Sequence, residues 1–100
     1  LFQVLSYCCY SFTHMKIEIY TKSTCPYCHK AKDLLLKKNL KFQEYDLIQN
    51  PELRDLMINR TGGLTTVPQI FINDEYFSDC DKLYILENTG KLDQIIENNK

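Results

Sequence analysis

The chain has 100 residues, of which 44% are hydrophobic and 25% are charged, as is typical of one globular domain. A formal net charge of -1 gives no basic surface for nucleic acid or anionic lipid, and no run of about 18 apolar residues predicts a membrane span. The five cysteines are an odd number, which does not fit a closed disulfide framework and favours a reducing, cytoplasmic location.

Residues 1–14 are expected to lie outside the folded domain. This segment is moderately apolar, but it lacks the basic region and small-residue cleavage site of a secretory signal. Regular patterning begins only at Lys16. We therefore predict a poorly ordered N-terminal extension over 1–14, which contains the adjacent Cys8 and Cys9, and one domain over 15–100.

The domain is predicted to open with a strand that leads into a helix. KIEIY at 16–20 alternates around Ile17 and Ile19 with a β-branched bias, which indicates a strand whose apolar face is buried. A helix is expected over about 26–38, because Pro26 suits a first helical turn and apolar residues then recur at helical spacing.

A second strand and a second helix are expected next. KFQEYDL at 41–47 is interpreted as a short strand. The following helix is predicted to start at Asn50-Pro51 and to end at Gly62-Gly63. Its expected buried face consists of Leu53, Leu56 and Met57.

The remainder of the chain indicates a hairpin and a helix. QIFIN at 69–73 and EYF at 75–77 flank an Asn-Asp turn, and a helix over 81–88 is expected to end at Gly90. The segment LDQII is expected to extend or cap that helix. The order βαβ followed by ββα predicts an α/β fold in which helices flank both faces of a four-stranded mixed sheet.

The stretch TKSTCPYCHK, residues 21–30, places two cysteines at the start of the first predicted helix. Cys25 would face unpaired backbone N–H groups and the positive end of the helix dipole, and Lys22 adds a nearby cation, so its thiolate is favoured. Cys28 would lie one turn deeper and act second. The spacing brings the two sulfurs close enough for a reversible disulfide, which predicts a redox dithiol.

Two other kinds of site could use the same stretch. A zinc site needs two more ligands, and the candidates His14, His29 and Cys80 form no second CxxC. Cys25 to His29 matches the haem-attachment pattern C-x-x-C-H, but that attachment occurs outside the cytoplasm and here a strand leads into the motif. We therefore expect no metal, and we expect His29 to be an exposed residue beside the site.

A second motif is TVP at 66–68, directly before the apolar strand QIFI. Pro68 cannot donate a hydrogen bond to a neighbouring strand, so it belongs at the strand start, where a cis bond after Val67 fits. A loop of this kind beside Cys25 would present the backbone of Val67 to an extended peptide.

The order of these features resembles the glutaredoxin family in its short, dithiol, bacterial type. The resemblance covers about residues 16–97, and EIYTKSTCPYCHKAK at 18–32 and TTVPQIFIN at 65–73 carry most of it. It implies a thioredoxin-like fold and a monomeric enzyme that uses glutathione to reduce protein disulfides and glutathione-mixed disulfides. Cys25 would be the nucleophile and Cys28 the resolving thiol.

The resemblance also implies a glutathione site, formed by Lys22, Tyr27, Thr66, Val67, Pro68, Cys80 and Asp81. Lys22 would hold the glycine carboxylate of glutathione, and Tyr27 would flank its sulfur. The backbone of Thr66-Val67 would pair with the tripeptide. The Cys80 amide and the Asp81 carboxylate would receive the γ-glutamyl end.

Three departures from the family pattern occur: Ser78-Asp79 replace a Gly-Gly pair, Lys82 replaces a second Asp, and Leu64 replaces a basic residue. The alternative function is a glutathione-ligated [2Fe–2S] carrier built from two chains. Pro26 counts against it, because cluster-holding relatives tend to have a small residue there or a single active cysteine. A thioredoxin-like reductase served by a flavoprotein is disfavoured by CPYC together with Asp81.

Overall fold

The computed structural model describes residues 15–98, so the predicted extension over 1–14 lies outside the described residues. The elements are β1 Ile17–Thr21, α1 Pro26–Lys37, β2 Gln43–Asp46, α2 Leu53–Thr61, β3 Gln69–Ile72, β4 Glu75–Ser78, α3 Cys80–Asn88 and α4 Lys91–Asn98. Over this range no helix is both long enough and apolar enough to cross a bilayer.

The four strands form one mixed sheet in the order β2-β1-β3-β4. β1 runs parallel to β2 and antiparallel to β3, so that Ile19 stands between Glu44 and Ile70. β3 and β4 form the predicted hairpin, and both turn residues, Asn73 and Asp74, have the positive φ angles of a two-residue turn. The predicted sheet is therefore confirmed.

Helices cover both faces of this sheet, as the order of elements predicted. Neighbouring residues of β1 point to opposite faces, so Ile19 and Tyr20 belong to two different cores. The larger core packs α1, α3 and α4 on one face, and the smaller core packs α2 on the other, where Met57 is fully buried. The central strand β1, whose C-terminal end leads to Cys25, is thus covered on both faces.

Some details differ from the sequence prediction. α2 begins at Leu53 rather than at Asn50, because the intervening residues form a turn. The prediction that Leu56 is buried was wrong, since its side chain is 47% exposed. Each helical residue rotates by about 100°, so Leu56 points away from the face that carries Met57. The C-terminal segment forms a separate helix, α4, because Gly90 has a left-handed conformation at the end of α3.

Candidate active site

Cys25 occupies the N-cap of α1, where β1 delivers the chain to the helix. Its backbone is extended, and its amide donates to the carbonyl of Lys22 at 3.0 Å. Its carbonyl accepts from the amides of Cys28 at 3.2 Å and His29 at 3.4 Å, which starts the helix. The side chain makes no capping hydrogen bond and is partly exposed, so the sulfur is accessible to a reactant.

Cys28 lies one turn further and is fully buried. Burial is the largest of the causes that raise the pKa of its thiol to about 12. The Cys25 side chain raises that pKa further, whereas a backbone hydrogen bond at Lys22 and the charge of Lys32 lower it. The two thiols therefore differ sharply in environment although three positions separate them.

The loop before β3 lies against Cys25. The Val67–Pro68 peptide bond is cis, and the Val67 carbonyl oxygen lies 3.9 Å from the Cys25 sulfur, a long sulfur contact across 42 positions of sequence. The Gln69 amide group holds the loop, because it donates to the backbone and the hydroxyl of Thr66 at 2.9 and 3.1 Å. The two sequence motifs thus form one site.

A cavity of about 230 Å³ opens beside this loop. Its lining residues are Tyr27, Thr66, Val67, Pro68, Asp79, Cys80 and Asp81. The cavity therefore brings together every residue predicted to contact glutathione except Lys22. The Lys22 side chain is exposed and does not line the cavity.

Asp79 is the lining residue that the sequence analysis did not assign to the site. It is the N-cap of α3, and its carboxylate accepts the Lys82 amide at 2.9 Å. The helix was predicted to start at residue 81, one residue later than observed. An Asp just before a helix is a capping signal, and that signal would have indicated both the helix start and the position of Asp79. Asp81 follows in the first turn and is exposed, so two carboxylates border this end of the cavity.

Cys80 lines the cavity, whereas His29 does not. Burial raises the pKa of the Cys80 thiol, so the contact that we predict with glutathione is through the backbone amide rather than the thiol. His29 is exposed as predicted, and its ring Nε2 lies 2.8 Å from the Ser23 carbonyl. Between residues 15 and 98, no group of three or more His, Cys, Asp or Glu side chains is placed to hold a metal ion.

Known proteins are similar to this chain in sequence. Residues 17–77, from β1 to β4, match the family model described as Glutaredoxin. Glutaredoxin 3 of Escherichia coli strain K12 is 51% identical over 81 residues, which cover 81% of this chain and 96% of that protein. A probable glutaredoxin of Synechocystis is 47% identical over 81 residues, which cover 81% of this chain and 92% of that protein.

A solved structure agrees with the sequence matches. The solution structure of glutaredoxin from Brucella melitensis has a TM-score of 0.71 and 44% identity, and the match covers 88% of this chain and 95% of that chain. The likeness therefore extends over nearly the whole length of these relatives.

Proposed function

The chain belongs to the glutaredoxin family, and on that premise we propose how its own residues divide the reaction. It is a glutathione-dependent thiol-disulfide oxidoreductase. The observation that carries the division of roles is the contrast between the two thiols: Cys25 is accessible at a helix N-cap, and Cys28 is fully buried. Cys25 is the nucleophile and Cys28 is the resolving thiol.

The first step forms a mixed disulfide on Cys25. Its thiolate attacks one sulfur of the substrate disulfide, a bond forms between those two sulfurs, and the other sulfur leaves with its electron pair and takes a proton. With a glutathionylated protein, the glutathionyl sulfur goes to Cys25 and the protein leaves as a thiol. A second glutathione then attacks that sulfur, which releases glutathione disulfide and restores Cys25.

A protein disulfide follows a second route. After Cys25 has captured one sulfur of the protein, Cys28 attacks the Cys25 sulfur and displaces the protein as a thiol. The product is a Cys25–Cys28 disulfide, which two glutathione molecules reduce while they are themselves oxidised to glutathione disulfide. This route needs both cysteines, whereas the first route needs only Cys25.

The cavity supports a glutathione site beside the loop that contacts Cys25. An extended tripeptide would pair with the backbone of Thr66-Val67 and pack on Tyr27, and Asp81 would accept the γ-glutamyl ammonium. The exposed Lys22 side chain, three residues before Cys25, is the proposed partner of the glycine carboxylate. Glutathionylated proteins and disulfide-containing proteins are the proposed substrates.

Two single substitutions test the division of roles. In a coupled assay with glutathione and recycling by NADPH, Cys25→Ser should abolish reduction of a glutathione-mixed disulfide. Cys28→Ser should retain that activity and lose reduction of an intramolecular protein disulfide, because only the second route uses Cys28. Equal loss of mixed-disulfide activity in both variants would contradict the assignment.

We also propose that the protein acts as a cytoplasmic monomer. A single chain supplies both cysteines and every residue of the cavity lining, which supports a monomer. The cytoplasm holds the reduced glutathione that the reaction consumes, which supports this location. Light scattering after gel filtration should give the mass of one chain, and cell fractionation should recover the protein with the cytoplasm. A dimeric mass or a membrane or exported fraction would contradict these two proposals.

The cluster-carrying alternative is not favoured. Pro26 fills the first position of α1, between the N-cap cysteine and the rest of the helix. Protein purified without oxygen should therefore show no absorbance band in the visible range. Such a band would support the [2Fe–2S] carrier hypothesis instead.

A further inference from the structure

Lys32 lies on the same side of α1 as the resolving cysteine. Cys28, Ala31 and Leu35 form the buried stripe of the helix, with exposures of 0%, 0% and 2%. Lys32 is four residues after Cys28, a spacing that places two side chains on neighbouring turns of one helix face. Its side chain is only 19% exposed, so the ammonium lies at the border of this stripe rather than in open solvent.

Glu44 and Thr21 fix the position of that ammonium. The Lys32 Nζ lies 2.9 Å from Glu44 Oε2 on β2, and the Thr21 hydroxyl, fully buried at the end of β1, donates to the same oxygen at 2.7 Å. Burial opposes the charged form of Glu44, but the hydrogen bonds from Thr21 and Lys32 outweigh it and hold the pKa of this carboxyl below its ordinary value. Glu44 is therefore ionised at neutral pH and can hold the Lys32 ammonium in place.

The resolving step makes this cation important. A buried thiol whose pKa is raised to about 12 is almost entirely protonated at pH 7, so the resolving step must create the negative charge on its sulfur. In the free enzyme two side chains shift the pKa of the Cys28 thiol: Cys25 raises it and Lys32 lowers it. Once Cys25 is bound in a mixed disulfide it carries no charge, so the Lys32 ammonium remains as the charged group acting on Cys28.

We propose that the Lys32–Glu44 pair sets the rate at which Cys28 resolves a disulfide held on Cys25. Lys32 stabilises the negative charge that forms on the Cys28 sulfur, and Glu44 positions and moderates that cation. In this step a bond forms between the two cysteine sulfurs and the bond from Cys25 to the substrate breaks. The substrate sulfur leaves with the electron pair and takes a proton, and Cys28 has lost its proton to solvent. The inference rests on the proposed roles of Cys25 and Cys28.

Substitutions at the two members of the pair should act in opposite directions. Lys32→Met removes the cation and should slow the resolving step, whereas Glu44→Gln keeps a hydrogen-bonding group but removes the opposing charge and should accelerate it. A difference of one unit in the pKa of Cys28 alters its thiolate fraction about tenfold at a given pH. The opposite change in the nucleophilicity of the thiolate offsets about half of this effect on a logarithmic scale. We therefore expect changes of about threefold each way.

The measurement is the release of a fluorescent peptide thiol from its mixed disulfide with Cys25, followed by stopped flow from pH 7 to 9.5. Lys32→Arg should release the peptide at the wild-type rate because it keeps the charge. Lys37→Met, an exposed lysine of the same helix, is the matched control and should also leave the rate unchanged. Urea unfolding of each variant separates a changed rate from a changed fold.

The Cys28→Ser background isolates the step. In that background Lys32→Met should not alter glutathione-driven reduction of a glutathione-mixed disulfide, because that route bypasses Cys28. Three results would overturn the inference in favour of a purely structural pair. They are slower release in both Lys32→Met and Glu44→Gln, a slowed rate in Lys32→Arg, and equal slowing by Lys32→Met in the Cys28→Ser background. Activity that survives Cys25→Ser would instead overturn the proposed function.

Discussion

Replacing Arg60 by methionine should destabilise the fold by about 3 kcal/mol. The Arg60 guanidinium lies 2.9 Å from Glu18 Oε1 and donates to the Tyr20 hydroxyl at 2.9 Å. It also lies 4.0 Å from the centre of the Phe71 ring. The side chains of Arg60 and Glu18 are only 19% and 6% exposed, so this is a buried ion pair between α2 and β1.

The magnitude follows from the charge that would be left behind. Removing one partner of a buried pair costs about 3–5 kcal/mol, because the other charge remains buried without compensation. Tyr45 still donates to Glu18 at 2.8 Å in the variant, so the lower end of that range applies. For a domain of this size, about 3 kcal/mol corresponds to a fall of about 15 °C in Tm.

Urea unfolding of wild type, Arg60→Met, Glu18→Gln and the double variant measures this cost and its origin. In the Glu18→Gln background, Arg60→Met should cost much less, because no buried carboxylate is left unpaired. A penalty below about 1 kcal/mol at pH 7, or an equal penalty in both backgrounds, would refute the reasoning.

The same pair predicts a pH dependence. The hydrogen bond from Arg60 lowers the pKa of Glu18 in the folded protein, although burial opposes this effect. The stabilisation is therefore complete above the unfolded value of about 4.3 and is lost as the pH falls through the folded value. The penalty of Arg60→Met should shrink below about pH 4.

Three further changes test the site and its support. Asp81→Ala should raise the Michaelis constant for glutathione about tenfold and leave the unfolding midpoint unchanged, because it removes the proposed charge-assisted hydrogen bond to the γ-glutamyl ammonium. A shifted midpoint with an unchanged constant would show a structural role instead. Asp79→Ala should cost about 1 kcal/mol in urea unfolding through loss of the α3 cap, and Asp79→Ser should restore most of it; equal losses in both would exclude capping. Met57→Ala should lower the free energy of unfolding by about 2–5 kcal/mol, because the Met57 side chain is fully buried. A loss below about 1 kcal/mol would contradict this prediction and would mean that the smaller core closes the space left by the side chain.

The sequence by itself determined the local features of this protein. Pro26 indicated the start of α1 and so placed Cys25 at the helix N-cap, as the structure confirms. Asn73-Asp74 indicated the hairpin turn, and the proline at 68 indicated a strand start with a cis bond before it. These signals could be interpreted from sequence because each depends on the backbone preferences of two or three neighbouring residues.

The resemblance supplied the residues proposed to bind glutathione, and the tertiary structure decided which of them line one cavity. Asp79 lines that cavity because it directly follows the end of β4, whereas Lys22 does not line it. Neither result follows from residue type alone.

Only the tertiary structure decided which charged side chains meet. Arg60 and Glu18 are 42 positions apart, and Lys32 and Glu44 belong to different elements, so no local pattern connects them. Their contacts require a helix to cross the sheet at one position and β1 to pair with β2 in one register. A shift of that register by one residue would turn Glu44 to the opposite face of the sheet, away from Lys32.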